Sequence, residues 1–502
     1  MEDGGVRTVK GNCGKGALRA ASEFLARWCK MGDENTYETV KVGKGGAPRF
    51  AAPLAAKAHG VAAAMSECLE EFTGCAQENL GHLETKIAAL AQQLVHAALV
   101  EGAPRKADAT PPACPRCQRA LARLAGNQPR TFTTRAGEVT VRRTRGFCAK
   151  CRKWRVAADT ALGLAETAGY SPSVQEMTAL LASKMPVAEA SLVLERLTGI
   201  KVPPATLDRE ARRQGGRAQT VRQALDRQPA APPRPPTPFE LPLEPDQMIV
   251  QIDAWNIRER DRWGETAAAR KQGDEPQRWH WVYTGTCFRL DHRGQTAGGR
   301  PVITERGFAA TRGGIDALRE QLHAEARRRG LVIADGAVWI WRLADDRFPG
   351  ARQRLDFYHA VQHLTAVGHA LHGEDRPKLQ AWLRPLVRQL KNQSAVTVVR
   401  QLEAALARLP AGAARAAVDP EVNYFREHEA RLDYRAARRR GEPIGSGAIE
   451  ATCRQYHCRF NRPGQFWSEK GDEALLCLET FWRNGRWHLL FPHAAPSDPA
   501  RN

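Results

Sequence analysis

Two short cysteine pairs limit the fold more than anything else in the chain. "CPRC" (114–117) and "CAKC" (148–151) are separated by 30 residues. Between them, "RTFTTRAGEVTVRRTRGF" (130–147) alternates around Ala136-Gly137 and predicts a β-hairpin. Two thiolate pairs at this spacing close a tetrahedral Cys₄ site with no open coordination position. Residues 110–157 are therefore expected to form a zinc ribbon, with Cys114, Cys117, Cys148 and Cys151 holding a structural Zn²⁺, about one per chain. Four unrelated thiols would rarely flank a hairpin in this way. A redox role for one CxxC pair would leave the other unexplained.

A closed site of this kind stabilises a fold and catalyses nothing, so its value lies in what it presents. The chain has 75 Lys and Arg against 55 Asp and Glu, a formal charge of +20 over 502 residues. The excess runs along much of the chain, as expected of a protein that meets a polyanion, and double-stranded DNA is the leading candidate. A basic protein from a GC-rich genome is the plainer alternative. On the DNA reading the ribbon offers Arg142, Arg143, Arg145, Lys150, Arg152, Lys153 and Arg155 to phosphates. No stretch approaches the roughly 18–20 apolar residues of a membrane span, and the first residues lack the apolar core of a secretion signal. Twelve cysteines in so long a chain fit reduced intracellular thiols.

The length predicts about three domains at roughly 150 residues each. Residues 1–105 read as mainly helical, although 1–50 carry no assignable role. "LETKIAALAQQLVHAALV" (83–100) places Leu83, Ile87, Leu90, Leu94 and Leu99 on one stripe. Segment 165–227 contains three short helical stretches, at 171–184, 187–198 and 206–226, with Thr206 as the expected N-cap of the third. That third stretch exposes Arg209, Arg212, Arg213 and Arg217. The unit reads either as a helix-turn-helix-like DNA-binding segment or as an ordinary bundle with a solvated charged face. "QPAAPPRPPTPFELPLEP" (228–245) is a proline-rich linker. Beyond it strands are expected at 248–253, 278–290, 300–311 and 331–334, with a helix at 315–330 and an almost wholly helical run from 349 to about 432.

Three acids stand at distinctive places. Asp253 ends or interrupts the apolar strand "MIVQID", and Asp335 follows "LVIA" and precedes a glycine. Glu450 follows "GSG" (445–447) where a helix should begin, amid Arg438, Arg439, Arg440, Arg454 and Arg459. Acids at strand ends are commonly turn residues. Two such strands plus a late acid, however, match what two-metal phosphodiester chemistry needs from Mg²⁺ (or Mn²⁺), which takes hard oxygen ligands. Asp345 and Asp346 lack a clean strand end, and Glu442 precedes Pro443; both readings rank below the first set.

"QIDAWNIRE", "VIADGAVWIWRLADDRFPGARQRLDFYHAVQHL" and "GEPIGSGAIEATCRQ", in that order, resemble Asp-Asp-Glu transposases of bacterial insertion sequences, in particular the ISKra group, relatives of the Mutator-like transposases. The resemblance runs from the cysteine pairs to about residue 488. It implies an α/β chain with an RNase H-like catalytic core in two parts, 246–371 and 441–490, interrupted by an all-α insertion at 372–440. Asp253, Asp335 and Glu450 match the catalytic triad. "DFYH" (356–359) resembles an Asp-x-x-His motif that places Asp356 and His359 near the active site, although helix packing would also account for that pair. The resemblance further implies a cytoplasmic, nucleoid-associated bacterial protein, acting on DNA as a homodimer or higher oligomer. The expected activity is metal-dependent cleavage and strand transfer at the element's terminal inverted repeats. A nuclease without strand transfer and a catalytically inactive DNA-binding derivative are the alternatives.

Overall fold

The computed structural model describes residues 52–164, 169–227, 248–260, 266–273, 278–326, 330–334 and 336–494. Segment 1–50, the linker 228–245 and Asp335 lie outside the described residues.

The described chain opens with a helical hairpin, α1 (Ala52–Gly74) and α2 (Leu80–Asp108). Asn79 caps α2 by accepting the His82 N–H, and the leucine stripe of 83–94 is half-buried. A three-stranded antiparallel sheet follows: β1 (Ala122–Thr134), β2 (Gly137–Cys148) and β3 (Lys153–Arg155). Thr134 and Gly137 face each other across the tip, and Gly137 takes φ +122°, which favours glycine. β1 begins well before the alternation at 130, because register shifts between Ala122 and Gln128 break the period that marks a strand in sequence. The short α3 (Ala157–Ala161) is tied to this sheet by Asp159, which accepts from both Arg130 and Arg143 at 2.7 Å.

Helices α4 (Pro172–Lys184), α5 (Val187–Thr198) and α6 (Pro204–Asp226) come next. α6 starts three residues earlier than the Thr206 cap expected from sequence: Pro203 holds the cap position, and its carbonyl accepts from the Thr206 and Leu207 N–H groups. Its inner face carries Leu207, Ala211, Gln214, Gly215 and Ala218.

The second sheet has five strands in the order β10-β9-β4-β5-β8. β4 (Met248–Glu259) and β5 (Arg278–Arg289) pair antiparallel along twelve positions, with α7 (Thr266–Lys271) between them in sequence. β6 (Arg293–Gln295) and β7 (Pro301–Ile303) form a separate ribbon, and β8 (Gly307–Thr311) joins β5 antiparallel. The strand expected at 300–311 is therefore two short ones serving different sheets. After α8 (Ile315–Ala326), β9 (Gly330–Ala334) lies parallel to β4. After α9 (Val338–Arg347), β10 (Arg352–Leu355) lies parallel to β9. β10 interrupts a run expected to be helical. Its sequence, "RQRL", gives no apolar signal, and Arg354 is buried there only because Glu442 and the Pro443 carbonyl take its guanidinium.

Helices α10 (Phe357–His372), α11 (Arg376–Asn392), α12 (Ala395–Arg408), α13 (Ala413–Glu427) and α14 (Tyr434–Arg439) follow, then α15 (Gly447–Phe460), α16 (Glu469–Arg483) and α17 (Trp487–Leu490). Two cores flank the sheet. One face, with Val250 and Ile252, packs against α8 to α13. The other, with Trp255, Ile257 and Val282, packs against α15 to α17 and also against α4 to α6. Helices 172–226 thus share a core with the end of the chain, although a linker separates them in sequence. Gly215 marks the contact: a Cβ there would lie 2.5 Å from the Ala474 Cβ on α16.

Candidate functional site

The four cysteines converge. Cys114 Sγ lies 3.9 Å from Cys151 Sγ, Cys117 Sγ lies 3.5 Å from Cys148 Sγ, and all four sulfurs fall within 4.8 Å of one another. A zinc ion with sulfurs at ~2.3 Å needs tetrahedral edges of about 3.8 Å, so this cluster can hold a structural metal such as zinc. The backbone N–H of Cys117 draws the Cys114 thiol down. Burial, followed by the neighbouring sulfurs, pushes Cys151 up to about 12. A divalent cation among them would relieve that conflict.

Around the ribbon, Arg142, Arg145 and Arg152 are exposed, with Arg145 stacked 4.3 Å over Trp154. Arg143 faces inward on Asp159, so its charge is already matched. On α6, Arg209 and Arg212 are exposed, while Arg213 is turned onto Glu210 and Gln175. Arg438, Arg439, Arg440 and Arg454 are exposed. Arg459 differs from the expectation of a DNA contact. It is buried, donates twice to the Ala182 carbonyl, and sits against Phe460 and Trp467, so it is shielded from any polyanion. Burial draws its guanidinium down to about 10.

The carboxylates meet elsewhere. Asp253, Asp356, His359 and Glu450 line one cleft of about 200 Å³, together with Tyr358, Gln362 and Ser446. Asp253 does not end its strand. β4 continues six residues further, to Glu259, and Asp253 sits mid-strand opposite Thr284. Its Oδ1 accepts from the Ala254 N–H at 2.7 Å. Glu450 lies in the first turn of α15, half-exposed, with Arg454 at 3.8 Å. Both carboxylates act on Cys453, whose thiol is pushed well up, chiefly by burial and then by Asp253, with Glu450 adding to it. Cys453 therefore stays a neutral packing group between them.

Three groups hold this arrangement. Gln251, buried two residues before Asp253, donates to the Gly445 carbonyl at 3.2 Å and accepts from the Ile449 N–H at 3.0 Å. Asp356 follows β10 and caps α10: one oxygen accepts from the His359 N–H at 2.6 Å and the other from the Ser446 N–H. Gly445 completes the join, since a Cβ there would lie 2.9 Å from the Tyr358 ring. Asp356 borders the cleft with both oxygens engaged, so it positions the loop before Glu450. His359 Nε2 lies 3.2 Å from His363 Nε2, and His363 Nδ1 lies 2.5 Å from Glu421 Oε2, a polar chain leading away from the cleft.

Sequence reasoning missed Gln251, His363 and Glu421. Gln251 had a signal, a lone amide inside an apolar run, whereas Glu421 joins its partners only through folding. Among the lower-ranked acids, Asp345 accepts from Gln353 and Asp346 pairs with Arg319. Glu442 is buried and held by Arg352, Arg354 and Arg440. Asp253 and Glu450 both line one cleft with carboxylate oxygens, the donor type that hard divalent cations take.

No protein-family model matches the chain. It is 25% identical over 388 residues to the UPF0236 protein in the vanSb 3′ region of Streptococcus gallolyticus, an alignment spanning 74% of this chain and 76% of that protein.

Proposed function

We propose that this protein is a DNA transposase that cleaves and joins DNA strands with divalent metal ions held by Asp253, Asp335 and Glu450. The observation carrying the reading is the meeting of Asp253 and Glu450, nearly 200 residues apart in sequence, in one cleft. The setting supports it. Three antiparallel strands, β8-β5-β4, followed by parallel β9 and β10 on the β4 side, have the order that the proposed RNase H-like core requires, which supports the reading. In such cores the acids gather at the central strand and the ends of its parallel neighbours.

A bound pair of divalent ions would supply an activated water or 3′-hydroxyl and neutralise charge on the leaving oxygen. The chain's own residues do the rest. Asp253 offers oxygen from a rigid strand, and Gln251 and Asp356 fix the turn that delivers Glu450. The exposed arginines on α14 and at Arg454 draw in the flanking phosphates, a contact weakened by salt.

Asp253→Asn, Asp335→Asn and Glu450→Gln should each abolish magnesium-dependent cleavage of a duplex carrying the element's terminal repeats, while leaving duplex binding and the melting temperature near wild type. Full cleavage by any one variant removes that residue from the set. Joining of a pre-cleaved 3′ end to a target plasmid separates a transposase from a nuclease that only trims.

A further inference from the structure

Beyond Asp253, the β4–β5 hairpin carries a row of side chains that the proposed chemistry leaves unused. Trp279 and Trp281, two residues apart on β5, share one face and are 61% and 52% exposed. Directly opposite Trp279 on β4 stands Arg258, its guanidinium 5.5 Å from the Trp279 ring and 5.2 Å from Phe466. Arg260 lies 3.9 Å over the far side of the row, on Phe466. The row thus runs from Trp281 and Trp279, two neighbouring rings, to Arg258, Phe466 and Arg260, with guanidinium groups on both sides of Phe466. The acid between the two arginines, Glu259, is buried and held by Arg312 and His280, so it does not oppose an anion there.

Two exposed tryptophans side by side are costly in water unless a partner covers them. Two residues along a strand are about 6.6 Å apart, roughly twice the ~3.4 Å spacing of stacked bases, so each ring can take its own base from an extended strand. The arginines at the Trp279 end of the row suit the phosphates of the strand that runs on from the stacked bases. A duplex keeps its base faces stacked inside, whereas an unpaired strand offers them.

We propose that the Trp281–Trp279–Arg258–Phe466 row is a stacking platform for unpaired DNA. The site takes bases with little regard to sequence, because every base has a π face. The transposase reading enters only to explain why an unpaired strand would be present, at an end opened for cleavage. Binding to the platform itself needs no metal and no catalysis.

The full-length protein is titrated with a single-stranded oligonucleotide carrying 2-aminopurine, and separately with a duplex of the same sequence, in EDTA. Wild type should bind the single strand and change the fluorescence of the stacked base. Trp279→Ala and Trp281→Ala should each weaken single-strand binding on the order of tenfold, the double variant more, with duplex binding unchanged. Trp→Phe at either position should restore most of the affinity. Circular dichroism checks that all variants fold. Equal single-strand affinity in wild type and the double variant overturns the platform, as does equal loss toward both DNAs. A change of oligomeric state in the double variant with single-strand binding intact would assign the row to a second copy of the chain instead. Cleavage is assayed separately with magnesium, with Asp253→Asn as the inactive control. If no protein cleaves DNA but the tryptophan variants still lose single-strand binding, the platform stands and the transposase reading fails.

Discussion

At the scale of single residues, the cleft depends on which acids are already committed. Glu442 and Glu450 are eight positions apart in a basic stretch, yet their situations are opposite. Glu442 lies buried under three guanidinium groups, whereas Glu450 is half-exposed with one distant arginine. Burial alone would raise the Glu442 carboxyl, but the donors on Arg440 and Arg354 win and hold it below the usual range. Glu442→Gln leaves Arg354 buried without its counter-charge and should destabilise the protein by about 3–5 kcal/mol in urea unfolding. A carboxylate whose folded pKa is depressed contributes fully above its unfolded value of about 4.3 and loses that contribution as pH falls through the lower folded value. The gap between wild type and Glu442→Gln should therefore hold from pH 8 to 5 and close only below about pH 4.

At the scale of elements, the cysteine ribbon and the strand after the second acid mark the limits of reading a sequence. The ribbon was legible because thiol spacing and hairpin alternation are local, and the cysteines do converge. β10 was not, because burying Arg354 requires Glu442, 88 residues away. Arg459 likewise looks like a surface charge until Ala182 and Trp467 enclose it. Asp253 and Glu450 were singled out from a strand and a helix start, whereas Gln251, which ties β4 to the turn before Glu450, was not. The ribbon has its own small core of Cys114, Leu121 and Cys148, separate from the two large ones. Purified protein should contain about one zinc per chain. Chelation should make the four thiols reactive and unravel the hairpin while the main unfolding transition stays in place; a preparation lacking zinc with the hairpin intact would count against the site. No helix among the described residues is long and apolar enough to cross a membrane.

At the scale of the whole molecule, helices α4 to α6, of which α6 alone carries a basic excess, are packed against α15 and α16. Gly215 meets Ala474 with no room for a side chain, Lys184 reaches Glu479 at 2.7 Å, and Arg459 holds the Ala182 carbonyl. The contact with α15, the helix that carries Glu450, is made by Arg459 on the Ala182 carbonyl. Gly215→Leu should cost about 1–3 kcal/mol through overpacking. It should also lower one shared unfolding transition, followed by tryptophan fluorescence and far-ultraviolet circular dichroism together. Separate transitions by the two probes would mean that helices 172–226 fold on their own.

The bonds of Asp356 to the Ser446 N–H and of Phe357 N–H to the Ile444 carbonyl draw the two ends of a long helical excursion to one point. Seen as a polymer, α10 to α14 form a loop pinned at its base, and the closure entropy of such a loop grows only by about 0.6 kcal/mol for each doubling of its length. The excursion can therefore gain or lose helices over evolutionary time while the acid that follows it returns to the same place. Relatives are expected to differ most in length between the Asp356 and Ser446 positions and least across the knot that joins them.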